Sequence, residues 1–95
     1  MPGAAMTVLA RRLRRAGWTA YIFSYSSRHA TVRRNAAALD AFLKGIDAPV
    51  VHFVAHSLGG LVLMQLWQDY PAQRPGRAVL LGTPYRGSHV ARRIS

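Results

Sequence analysis

The sequence contains no cysteine and no glutamate, and its only acids are Asp40, Asp47 and Asp69. Without cysteine there is no disulfide framework, no thiolate zinc site and no cysteine nucleophile. So few carboxylates also leave little room for paired-carboxylate chemistry. No apolar run approaches the ~20 residues of a membrane-spanning helix, so no transmembrane segment is expected. Ninety-five residues, 51% of them apolar, suffice for one modest core and no second domain. Arginine is the residue in excess: the bases total thirteen, all arginine but Lys44, for a formal charge of +10. Such an imbalance raises a nucleic-acid-binding reading.

The opening of the chain is Arg-rich and acid-free, the look of a transit peptide, while its arginines interrupt any secretory h-region. A domain helix accounts for it better, with a cytoplasmic location. Met6, Leu9, Leu13 and Ala16 recur at spacings of three and four, Arg11, Arg12, Arg14 and Arg15 fall largely off that stripe, and Gly17 stops the helix. Trp18 to Tyr25 is aromatic and β-branched and predicts a strand. Ser26, Ser27 and Arg28 break it. Thr31 then caps a second helix with Val32, Ala36, Leu39, Phe42 and Leu43 on its buried face, ended by Gly45.

Val50 to Ala55 is apolar on both alternating faces apart from His52, the pattern of a central parallel strand covered on both sides. A third helix carries Leu58, Leu61, Val62, Gln65 and Leu66 and ends at Tyr70-Pro71. Arg77 to Leu81 predicts another strand, stopping at Gly82-Thr83-Pro84. Three helices alternating with three strands give an α/β chain with a parallel, partial doubly wound sheet.

Val54-Ala55-His56-Ser57-Leu58-Gly59-Gly60 is the most informative stretch. A serine stands where an apolar strand meets a helix with no loop between, a sharp turn that strains its backbone and exposes its hydroxyl. Small residues two before and two after are needed where strand and helix converge; Ala55 and Gly59 meet that need, and Gly60 adds room for helix packing. The N–H of Leu58, at the helix N-terminus, is placed to stabilise an oxyanion formed when Ser57 attacks an ester carbonyl. The plainer reading of Ser57 is a helix N-cap.

These residues resemble the nucleophile elbow of the α/β-hydrolase superfamily, within it the lipase and esterase-like serine hydrolases: A-H-S-L-G-G matches G-x-S-x-G with Ala55 for the first glycine. Leu81-Gly82-Thr83-Pro84-Tyr85-Arg86-Gly87-Ser88 is similar to an L-G-T-P-x-x-G-S segment that lines the acyl-binding side in lipase-like members, which makes Thr83 and Pro84 substrate-side candidates. The resemblance implies hydrolysis of a small acyl ester or lipid through Ser57, with no cofactor. It also implies a base and an acid in the order Ser, Asp or Glu, His.

No acid follows Asp69, and His89, the only later histidine, falls where such enzymes often carry a lid and is expected in an exposed loop. His56 is expected beside the nucleophile or substrate, His52 as a hydrogen-bonded core residue, and His29 in a solvated turn; the four make no metal set. Residues 1–95 accordingly read as a partial α/β-hydrolase domain, lacking the His-Gly loop strand that would supply the second oxyanion donor and the C-terminal Asp and His segments. Alone it is expected to be inactive and only marginally stable, with strand edges open to self-association. The alternatives are a basic nucleic-acid-binding module and a non-catalytic hydrolase remnant.

Overall fold

The computed structural model describes residues 3–25, 30–82 and 89–92, with side chains described over 6–25 and 30–82. The amphipathic opening forms helix α1 (Gly3–Arg15). Its end is built on Gly17 at φ 99°: the N–H of Trp18 donates to the Leu13 carbonyl (3.0 Å) and that of Gly17 to the Arg14 carbonyl (3.1 Å). This reciprocal pair closes a helix only when the residue after the cap is left-handed, which glycine adopts without a Cβ penalty. Met6, Leu9 and Leu13 are half-buried as the stripe predicts, but Ala10 is enclosed and Ala16 is exposed.

The strand expected over Trp18–Tyr25 does not form. Residues 18–25 join no ladder among the described residues, and β-propensity without a hydrogen-bonding neighbour does not make a strand. Side chains hold the segment instead. The Arg14 guanidinium donates twice to the Ala20 carbonyl (3.2 and 2.7 Å). Phe23 packs at the margin of the core and tilts against Phe42, with ring centroids 5.4 Å apart.

Helix α2 (Val32–Lys44) starts where Thr31 accepts a hydrogen bond from the Arg34 N–H and ends at Gly45, as read from the sequence. Ala36, Leu39 and Leu43 are buried, Val32 partly, while Phe42 faces outward against Tyr21 and Phe23. Strand β1 (Phe53–His56) is shorter than the apolar run preceding Ser57 suggested and starts three residues later. Helix α3 (Leu58–Asp69) and strand β2 (Arg77–Leu81) follow, then β3 (His89–Arg92).

The sheet has the order β1-β2-β3. β1 and β2 run parallel with Phe53 opposite Ala78 and His56 opposite Leu81, and α3 makes the crossover. β3 pairs antiparallel to β2, with Leu80 opposite His89. The three parallel strands expected from the sequence are therefore not the sheet observed, and β1 is an edge strand among the described residues where a central one was expected. Four residues with one β-branched member give β3 too weak a signal to read as a strand. His89 accordingly lies in a strand and not in a loop.

One face of β1 and β2, through Ala55, Ala78 and Leu80, meets α2 and α3 in a single core with Val62, Leu63 and Leu66. Polar contacts tie the same elements together. Asp40, buried on α2, takes Lys44 at 3.1 Å and the Gln73 amide at 3.0 Å. Arg74 donates to the Leu43 carbonyl at 2.8 Å, which also accepts the Ile46 N–H at 3.0 Å, so the end of α2 is tied both to the chain that follows it and to the segment after α3. Arg33 reaches Asp69 at 3.5 Å across α2 and α3. Gly76 crosses so close to the Val51 carbonyl that a Cβ there would collide with it.

Candidate active site

β1 ends at His56 and α3 begins at Leu58, so Ser57 is the whole connection. Its backbone sits at φ 54° and ψ −121°, and it is the only residue other than glycine with positive φ among those described. An L-residue enters that region at a cost of about 1–3 kcal/mol, tolerated only where surroundings impose it. Those surroundings are identifiable. The Ser57 N–H donates to the Leu81 carbonyl at 2.8 Å, extending the β1–β2 ladder into the turn, and the Gly60 N–H donates to the Ser57 carbonyl at 3.0 Å, winding the first turn of α3. The serine is thus clamped between the end of one strand and the start of one helix.

The Ser57 side chain makes no capping hydrogen bond to α3. An N-cap serine has extended backbone and lends its oxygen to the helix, as Thr31 does at α2 with φ −72° and ψ 164°. Ser57 does neither.

The small residues have the positions the turn requires. Ala55 is buried, and a Cβ on Gly59 would lie 3.7 Å from the Ala55 Cβ and 3.3 Å from the Tyr25 hydroxyl. Gly60 is buried as well. Leu58 occupies the first position of α3, where the backbone N–H has no intrahelical acceptor and the helix dipole is positive.

His56 is half-buried; its Nδ1 is enclosed without a hydrogen-bond partner, and its Nε2 is 3.6 Å from where a Gly82 Cβ would stand. It therefore packs between the turn and the end of β2, beside the serine. His52 departs from its expected core position: it is exposed just before β1, where its Nδ1 accepts the Arg77 N–H at 2.9 Å and its ring meets Trp18 edge-on at 5.4 Å. The hydrogen bond expected of it is present. Thr83, Pro84 and His29 lie outside the described residues. Asp69 is the last residue of α3, at the opposite end of the helix from Ser57. No group of three His, Asp or Glu side chains with metal-binding proximity occurs among the described residues, and no helix among them is long and apolar enough to cross a membrane.

Tyr25 is a residue that sequence reasoning missed. The sequence marks it only as the end of a strand, yet its phenol stands against Gly59, close to the position a Cβ there would take beside Ala55. A bulky aromatic followed by a polar break was the only local signal, and that signal does not say which helix the ring will meet. Comparison with known proteins adds nothing to this geometry, since no family model, curated protein or solved structure matches the chain.

Proposed function

We propose that this chain carries the nucleophile of a serine hydrolase acting on acyl esters, in an α/β-hydrolase-like arrangement. The observation that supports the reading most is the Ser57 backbone: φ 54° and ψ −121° on the single residue between a strand and a helix. Strain of this kind persists where it is imposed, and its effect is to lift the side chain out of the helix and above the end of the sheet. In the proposed reaction the Ser57 oxygen attacks the ester carbonyl and the alcohol leaves. Water then cleaves the acyl-enzyme. The Leu58 N–H faces the charge that develops on the carbonyl oxygen, which helix α3 further stabilises through its dipole. Ala55 and Gly59 keep strand and helix close, and His56 and Tyr25 form the walls.

A serine hydroxyl is a weak nucleophile until a base takes its proton. Neither half-buried His56 nor exposed His52 has a carboxylate partner among the described contacts, so neither has the orienting acid that a catalytic imidazole uses. The base is accordingly not assigned. A small acyl ester or lipid is the proposed substrate class, and Thr83 and Pro84 remain its proposed substrate-side contacts.

The test is turnover of p-nitrophenyl esters of graded acyl length by the protein as its own cell produces it. Ser57→Ala should lower kcat by at least about a thousandfold with the fold intact, as loss of a nucleophile does. Undiminished turnover in that variant would overturn the assignment.

A further inference from the structure

The two faces of α1 are each a complete stripe. Met6, Leu9, Ala10 and Leu13 are spaced i, i+3, i+4, i+7 and are buried or half-buried. Val8, Arg11, Arg12 and Arg15 repeat the same spacing on the opposite side, and all four are exposed. Arg14 lies between the stripes and spends its guanidinium on the Ala20 carbonyl. Arg11, Arg12 and Arg15, by contrast, make no described hydrogen bond or ion pair. No acid precedes Asp40 in the sequence, and Asp40 and Asp69 are engaged by Lys44 and Arg33. Asp47 pairs with none of the three in the described ion pairs, so among the described residues three cations are presented together with no countercharge.

The Arg14 bonds hold the next segment against the last turns of this helix, and that segment exposes large apolar side chains: Trp18 at 54%, Tyr21 at 56% and Ile22 at 43%, with Val8 at 46% on the helix itself. A cationic stripe that carries the exposed Val8 and is followed in the chain by exposed Trp18 and Ile22 matches a surface of anionic headgroups over acyl chains. A nucleic-acid backbone would be served by the arginines, but it would leave Val8 and Ile22 facing an anionic, hydrated partner with nothing to gain.

We propose that the exposed face of α1, together with Trp18 and Ile22 of the segment that follows it, docks on an anionic lipid surface. The arginines meet the headgroups while Val8, Trp18 and Ile22 enter the interface. This does not depend on the chemistry of Ser57, and the two can fail separately.

The test is flotation of the full chain with vesicles of phosphatidylcholine, with and without phosphatidylserine. Binding should require phosphatidylserine and weaken as salt rises. It should fall on the order of a hundredfold in R11Q/R12Q/R15Q, at about fivefold per arginine, and several-fold in the double variant V8S/I22S. R11K/R12K/R15K should retain it. These residues are exposed, so circular dichroism should show unchanged helix content, which separates lost binding from lost folding. Absence of binding to the phosphatidylserine vesicles at low salt would overturn the proposal. So would tighter binding to duplex DNA or RNA that V8S/I22S leaves unchanged, which would mark the face as one for nucleic acid.

Discussion

The half of the molecule that follows Thr31 and the half that precedes it are organised on different terms. In α2, β1, α3 and β2 the large apolar residues close on one another: Val62, Leu63, Leu66 and Leu80 are each no more than 2% exposed. The polar links there bridge separate elements, with Gln73 and Arg74 reaching back to α2. Before Thr31, no described side chain of α1 belongs to that common core, and residues 18–25 enter it through Phe23. The strained serine belongs to the first kind of structure. A backbone held at a cost of about 1–3 kcal/mol needs rigid neighbours, and Ser57 has β2 on one side and α3 on the other. The leading half meets the turn at Tyr25 and the core at Phe23, and it leaves Arg11, Arg12, Arg15, Trp18 and Tyr21 exposed.

Breaking the core should therefore cost most. Leu66 is fully enclosed, so Leu66→Ala should destabilise by about 2–5 kcal/mol in urea denaturation. Next comes Gly76→Ala: the atom its methyl meets is the Val51 backbone carbonyl, which no rotamer change can move aside. A loss of about 1–3 kcal/mol is expected, and a neutral substitution would show that this crossing is looser than described.

Arg74→Ala removes the side-chain donor to the Leu43 carbonyl, which keeps its bond from the Ile46 N–H, and should cost no more than about 1 kcal/mol. In the leading half, Trp18→Ser should change stability by less than about 0.5 kcal/mol, since the ring is 54% exposed. Should Trp18→Ser prove as damaging as Leu66→Ala, the contrast between the halves would be wrong. Amide exchange sharpens the same contrast: β1, β2 and α3 should protect strongly, and residues 18–25, which join no ladder, should exchange early.

What could be read in advance divides along local and non-local lines. The helices were legible because each carries its own periodicity and its own terminator, Gly17 for α1 and the Thr31–Gly45 pair for α2. The turn at Ser57 was legible for a related reason: an apolar run, a serine and two flanking small residues imply a junction before any partner is known. Trp18–Tyr25 misled because a strand is a pairing, and its aromatic content says nothing about a neighbour. The run at Val50–Ala55 was read as central because it is apolar on both faces, yet its observed ladder has one described side. The bonds from Gln73 and Arg74 to α2, and Tyr25 against Gly59, join residues more than thirty positions apart and leave no local trace.

The central claim is that the serine held at positive φ is a reactive one. Its most direct test is treatment of the protein, as its own cell produces it, with a fluorophosphonate probe, followed by peptide mapping. One adduct, on the Ser57 hydroxyl, is predicted, absent after denaturation before labelling and absent in Ser57→Ala. A folded protein in which Ser57 stays unmodified while other serines react would contradict the account.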